Sequence, residues 1–393
     1  MIQRKLFSQL EAHLNKKQVT VITGLRRVGK STALHFLLEK VPHTNKLFLD
    51  FERVENRVLF NQQSYAEIER GLEALGLNLS QPAVLAIDEI QLAPNSTSVI
   101  KSLYDTFGIK IIATGSSTFY LRNHFSESLA GRKQIFEMWP LDFEEYLWFK
   151  GVDTTRLQQE SFKNFLPAFY NLWNGYYQDY LSFGGFPEVV LSDSKDDKVS
   201  YLKDILNSYI ELDIRLLSDF SASENLYKLI RLIANRVGSK IDYTKLAGIT
   251  GLNRNKVKDY ITLLEHTYFI RLVKVFTSGI DKEIKKQPKI YFTDTGLLQI
   301  CGQISSGAVF ENSVAAQLAM KGEINYFEKS AGSEIDFILD GKTAFEVKET
   351  CTVSDLRSLA TRSSLINLNN YHLAGRSLAG SGFDEFIWGG NIF

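Results

Sequence analysis

The stretch QVTVITGLRRVGKSTALHFLLEK, residues 18–40, decides the fold. Residues 18–23 are a short apolar run without a helical period and read as a buried strand, while Ser31 to Glu39 reads as a helix. Between them, Gly24-Leu25-Arg26-Arg27-Val28-Gly29-Lys30-Ser31 matches G-x-x-x-x-G-K-S/T in the strand-before, helix-after context that the motif requires. The glycines let backbone N–H groups curl around phosphate oxygens, and the helix N-terminus adds partial positive charge. Lys30 is placed to reach β- and γ-phosphates and Ser31 to ligate Mg²⁺, so Gly24 through Thr32 form the expected nucleotide-binding set, with ATP and Mg²⁺ as ligands.

Downstream, AVLAIDE (83–89) is an apolar strand ending in two carboxylates. Asp88 is expected to hold the Mg²⁺ shell and Glu89 to polarise an attacking water, a role that hydrolysis needs and mere binding does not. A third run, KIIAT (110–114), leads into Gly115-Ser116-Ser117. Ser116 is the expected polar sensor beside the γ-phosphate if this strand adjoins the other two, and a hydroxyl-rich turn capping a helix is the competing reading. Arg132, in Ser128-Leu129-Ala130-Gly131-Arg132, is a candidate arginine finger, in cis or in trans, against the alternative of a solvated arginine. There is no N-K-x-D guanine reader of a GTPase and no transporter-type signature segment ahead of the acidic strand.

Around these motifs, KLFLDF (46–51) and QIFEM (134–138) are further strand-like runs, and Tyr65 to Leu75 is helix-like. The alternation predicts a doubly wound parallel α/β sheet over residues 1–139. Residues 140–196 turn helical and aromatic, punctuated by Gly184-Gly185-Phe186-Pro187, and predict a small helical lid. In 197–290, two helices flank Ile249-Thr250-Gly251 and lead into a strand, the order of a winged helix, with Asn253 capping a helix that starts Arg254, Lys256, Lys258. From 291 to 393 one amphipathic helix, FENSVAAQLAMKG, precedes strand-like NYFEK, EIDFIL and TAFEVKE, with a hairpin signal at Asp340-Gly341.

At 393 residues the chain is long enough for two to four domains. Lys+Arg and Asp+Glu both number 45, so any surface for nucleic acid must be local. Nine basic residues against four acidic ones fall between Asn253 and Lys289. Cys301 and Cys351 have no zinc or disulfide spacing, which fits a reducing cytoplasm. Neither a secretory leader nor an apolar span of membrane length is visible, so the expectation is a cytoplasmic chain with no membrane partner.

GLRRVGKST, VLAIDEIQ, IIATGSS, SLAGR, PLDFEEYL and FGGFP occur in an order that resembles the bacterial and archaeal ATPases of the AAA+ superfamily that carry a C-terminal domain of unknown function, DUF4143. FTDTGLL (292–298), VFEN (309–312), EIDFIL and FEVK look like landmarks of that C-terminal domain. The resemblance implies a P-loop AAA+-type core, a helical lid, a winged helix and a restriction-endonuclease-like α/β end. It supplies no substrate, and the lid arginine familiar in AAA+ machines has no counterpart here.

Glu311, Asp336, Glu346 and Lys348 resemble the PD-(D/E)-x-K nuclease constellation, although Ser333-Glu334 stands where a proline often precedes the aspartate. Period-two geometry puts Glu346 and Lys348 on one strand face, and the hairpin can bring Asp336 alongside. Two carboxylates can bind Mg²⁺ while a lysine activates water, but charged residues on a solvated strand face fit the same pattern. Three functions follow. The first is an ATPase coupling nucleotide state to DNA through the basic helix and through Lys282, Lys285 and Lys286; the others are a signalling ATPase binding a protein partner and an ATP-dependent nuclease. A homo-oligomer is compatible with each.

Overall fold

The computed structural model describes residues 1–393 apart from 63, 117–128, 130, 155–166, 215–222, 278–285, 330–332, 380–381 and 393. The chain divides into two compact units, one holding Met1–Trp139 and the other Pro140–Ile210 with nearly all of the chain from residue 223 on.

The first unit is a five-stranded sheet of β1 (Val19–Thr23), β2 (Lys46–Asp50), β3 (Val84–Asp88), β4 (Lys110–Gly115) and β5 (Lys133–Glu137), in the order β2-β3-β4-β1-β5. Every neighbouring pair is parallel. This explains the unbroken apolar runs: β1 and β3 are buried at all five positions, because helices cover both faces of a parallel sheet. The helices are α1 (Lys5–Leu14), α2 (Lys30–Lys40), α3 (Val54–Phe60), α4 (Tyr65–Ala74) and α5 (Ser96–Phe107). Phe60, Ile68, Leu72, Ile100 and Leu103 from α3, α4 and α5 close one core over Val19, Val21, Leu85, Ile87 and Ile111. Outside that core, α1 and α2 pack together through stacked Phe7 and Phe36, 4.4 Å apart. All five C-terminal strand ends share one edge, and β4 lies between the strand feeding the glycine-rich loop and the strand ending in acids.

The second unit begins with α6 (Phe143–Phe149), α7 (Pro167–Phe183), α8 (Pro187–Leu191) and α9 (Lys195–Ser208). The Gly184-Gly185 break is held from elsewhere in the unit: the buried Asp294 carboxylate accepts from Gly185 N–H at 2.7 Å and from Leu297 N–H at 2.9 Å. Next come α10 (Ser223–Ala234), α11 (Tyr243–Thr250), α12 (Arg254–His266) and the antiparallel strands β6 (Ile270–Val275) and β7 (Lys289–Phe292). Asn253 caps α12 as expected, accepting from Lys256 N–H at 2.8 Å. The remainder is α13 (Thr295–Cys301), α14 (Ser306–Ala319), β8 (Ile324–Lys329), β9 (Ser333–Leu339), β10 (Thr343–Lys348), α15 (Val353–Ser364), β11 (Asn370–Gly375) and β12 (Ile387–Trp388). The β9–β10 turn has positive φ at both Asp340 (50°) and Gly341 (64°), as a two-residue hairpin turn of the right twist demands.

Two expectations need correction. A boundary at 290/291 cuts β7, and β6 pairs in parallel with β8, so a single seven-stranded sheet runs β12-β11-β10-β9-β8-β6-β7. The helix containing FENSVAAQLA is not amphipathic. α14 is buried nearly all round, including Asn312, Ser313 and Gln317, and Asn312 uses both ends of its amide on the Phe292 backbone at 2.7 and 3.1 Å. An amide satisfied at both ends, as that of Asn312 is, lets a polar side chain sit in a core. Among the described residues no helix is long and apolar enough to cross a membrane.

Candidate functional site

The glycine-rich loop leaves β1 at Gly24, whose φ of 150° and close approach to the Met138 carbonyl leave no room for a side chain; a Cβ there would sit 2.1 Å from that oxygen. Arg27 and Gly29 also hold positive φ, 62° and 101°, so the backbone curls before α2 starts at Lys30. Lys30 is 4% exposed, and its ammonium donates to the carbonyls of Gly24 (3.1 Å) and Leu25 (2.8 Å) within the loop itself. Ser31 and Thr32 are exposed on the first turn of α2, while Leu25 and Val28 point into the core and Arg26 pairs with Glu52 at 3.7 Å. Behind the loop, buried Arg4 donates to Val28 O at 2.9 Å and to Trp139 O at 2.8 Å, an anchor that no motif announced.

Across β4, Asp88 ends β3 and Thr114 stands next to it, since the register pairs Ile87 with Ala113 one step earlier. The Thr114 hydroxyl donates to Asp88 Oδ1 and accepts from Glu89 N–H, the latter at 3.0 Å. Glu89 sits in the left-handed region (φ 55°, ψ 51°), a conformation costing about 1–2 kcal/mol that is typical of functional positions. Its carboxylate accepts from the Gln91 side-chain amide, which also donates to Ser116 Oγ at 3.0 Å. Asp88, Glu89, Thr114 and Ser116 are all buried. The sheet therefore brings Lys30, Asp88, Glu89 and Ser116 to one edge. Thr114 and Gln91 are not singled out by the motifs although both lie inside quoted stretches; for Thr114 the signal is a polar side chain at the end of an otherwise apolar strand.

Arg132 is placed elsewhere. It precedes β5, and Val19 N–H donates to its carbonyl at 2.8 Å, so it lies at the N-terminal edge of the parallel sheet, about 16 Å from the loop edge at ~3.3 Å per strand residue. Its guanidinium pairs with Asp105 at 2.8 Å. A role in cis is thereby corrected; chain order does not reveal which end of a strand a residue occupies.

In the second unit, Phe345 pairs with Phe337 across β9 and β10, which sets Glu346 opposite Asp336. Asp336 accepts from Val347 N–H at 2.8 Å and is pushed up to about 7 by burial and then by Glu346 and Glu311. Glu346 is ion-paired with Lys348 (2.9 Å) and Arg362 (3.2 Å). Glu311, on α14, accepts from the Tyr291 hydroxyl at 2.6 Å and is itself raised by burial. Lys289 pairs with Glu334, and although burial lowers its affinity for a proton, Glu334, Glu311 and Asp336 hold it above the ordinary value. The four expected residues thus share one charged neighbourhood, in which Glu346 is tied up by cations. Among the described residues no group of three His, Cys, Asp or Glu side chains could hold a metal ion. On α12, Arg254 and Lys258 are exposed and Val257, Ile261 and Leu264 are buried; Lys282 and Lys285 lie outside the described residues.

Residues 16–147 match a family described as an AAA domain, and residues 174–306 match a domain of unknown function, DUF8612. The second match corrects the expected DUF4143: of its supposed landmarks only FTDTGLL falls inside 174–306, and EIDFIL and FEVK lie beyond it. Two uncharacterized proteins of Methanocaldococcus jannaschii are 26% and 28% identical, over 96% and 83% of this chain and 86% and 73% of their own lengths. One of Haemophilus influenzae is 25% identical over 90% of each chain. Among solved structures, the Aeropyrum pernix ORC1 protein in complex with DNA aligns at TM-score 0.34 and 12% identity, covering 79% of this chain and 93% of that one. A Thermotoga maritima RuvB variant aligns at 0.34 and 17%, covering 69% and 88%. Alignments this loose carry no argument of their own.

Proposed function

We propose that the chain binds MgATP at the C-terminal ends of β1, β4 and β3, hydrolyses it to ADP and phosphate, and couples its nucleotide state to DNA through its C-terminal half. The observation that carries the first part is the meeting of Lys30 with buried Asp88, Glu89 and Thr114 on one sheet edge, in the segment that matches an AAA domain. The donor set suits Mg²⁺: Ser31 hydroxyl and Asp88 carboxylate are hard oxygens, and a cation that keeps water and phosphate ligands needs few protein groups. When bound, Mg²⁺ supplies charge neutralisation at the phosphates. Gly24 through Thr32 cradle the triphosphate, Lys30 turns from the loop carbonyls to the phosphates, Thr114 orients Asp88, and Glu89 takes the proton from water.

Turnover tests this. Glu89→Gln is expected to keep MgATP binding by calorimetry while losing about 100-fold or more in kcat, because the cradle survives and the proton acceptor does not. Lys30→Ala is expected to lose binding as well. Full activity in Glu89→Gln removes that residue from its role.

The DNA reading is supported by the exposed basic start of α12 beside an antiparallel strand pair. Anisotropy of labelled duplex DNA, with and without MgATP, is expected to show binding that weakens with salt and falls in Arg254→Ala/Lys258→Ala. No affinity in any nucleotide state discards it in favour of a protein partner. The nuclease reading draws on the Asp336–Glu346 pair, and the ion pairs to Lys348 and Arg362 weigh against it. DNA left intact with Mg²⁺ or Mn²⁺ is the expected result.

A further inference from the structure

We infer that Gln91 positions the Glu89 carboxylate for the attacking water, with its amide as a fixed bridge between Glu89 and Ser116. The inference rests on the ATPase reading above. Gln91 lies in the single 3-10 turn, Ile90–Leu92, that follows the acidic strand end. Its Nε2 donates to Glu89 Oε2 and to Ser116 Oγ, 3.0 Å away. A carboxylate can only accept, so the nitrogen must face Glu89 and the amide oxygen must face the other way. That oxygen, Gln91 Oε1, is buried and has no hydrogen-bond partner among the described residues.

The bridge is kept although the amide oxygen goes unpaired, at a cost of about 1–3 kcal/mol, so the amide nitrogen is held for what it does to Glu89. Glu89 on the same turn is the group that takes a proton from water. The amide holds Oε2 of Glu89 and leaves the other carboxylate oxygen to accept a hydrogen from the water. A lone pair of the water oxygen is left for phosphorus. In the step itself that oxygen bonds to the γ-phosphorus, the bond from the γ-phosphorus to the bridging oxygen of ADP breaks, and the proton passes to the Glu89 carboxylate. Ser116, bound to the same amide, fixes the angle of the bridge from β4, so the turn after β3 and the end of β4 share the positioning. Gln91 acts as a positioning residue: it is neutral at every working pH and exchanges no proton.

The test uses the full chain with Gln91→Ala and the shape-conserving Gln91→Met. Steady-state turnover, MgADP affinity, and affinity for MgADP with aluminium fluoride, which imitates the in-line transition state, are measured for each. Expected is a kcat loss of about 100-fold with KM and MgADP affinity within about threefold, and a selective loss of aluminium fluoride binding. Unchanged kcat in both variants overturns the proposal, and so does a loss of MgADP affinity that matches the loss of kcat, since that is the mark of a merely structural side chain. Absence of turnover and of MgADP binding in the unaltered chain overturns the ATPase reading itself, and this inference with it.

Discussion

Single residues carry the site. Gly24 cannot be replaced because the Met138 carbonyl occupies the space of a Cβ, and Glu89 keeps a strained backbone because Thr114 holds its N–H. Motif spacing made Lys30, Ser31, Asp88 and Glu89 legible, since phosphate chemistry fixes their types and order. It did not rank the two hydroxyl residues at the end of β4, Thr114 and Ser116. The sequence favours Ser116, whereas Thr114 touches both Asp88 and Glu89 and Ser116 is joined to Glu89 through Gln91. Thr114→Val keeps the shape and removes the hydroxyl. Turnover is expected to fall about 10–100-fold, the range for groups that orient a metal ligand, and stability by about 1–3 kcal/mol for the buried groups left unpaired. Turnover within twofold of the unaltered chain would show that the hydroxyl merely fills space.

Elements were legible where burial is uniform. The strands of the first unit read directly from apolar runs because helices cover both faces, and the β9–β10 hairpin read from Asp340-Gly341 because few residues tolerate positive φ. α14 was misread because Asn312, Ser313 and Gln317 look like a solvent face, whereas their partners are distant backbone groups and neighbouring side chains in the core. The β9–β10 pair carries a pH prediction. Asp336 titrates near 7 in the folded chain against an ordinary 3.8, so the stability it contributes is complete below about pH 4 and is lost as pH rises through about 7. Asp336→Asn removes the charge and keeps an oxygen for Val347 N–H. Its thermal stability relative to the unaltered chain is expected to improve from pH 5 to pH 8 by at least ~1 kcal/mol, about 2–4 °C in Tm. A difference independent of pH would mean that the carboxyl is already ionised at pH 5.

At the scale of the whole molecule, the division into two compact units predicts how ligand binding registers. MgATP at about 100 times its Kd adds roughly 2.7 kcal/mol to whatever cooperative unit holds the loop. Scanning calorimetry is expected to show an upward shift in the transition of the unit containing Met1–Trp139, none in Lys30→Ala, and little in the other. Equal shifts in a single transition would mean that the chain unfolds as one. The parallel character of the first sheet was legible because its strands alternate with helices, though not its strand order, and the make-up of the second sheet was not. The pairing of β6 with β8 joins residues about fifty positions apart, and nothing in either strand announces its partner.

That parallel pairing governs where the chain can be divided. A fragment begun at residue 291 would leave behind β6 and half of β7, and β8 would present a raw row of unpaired peptide groups to its neighbours in solution. Such a piece should precipitate or form ribbons with copies of itself, whereas one begun ahead of α10 carries its own covering strand and should stay monodisperse.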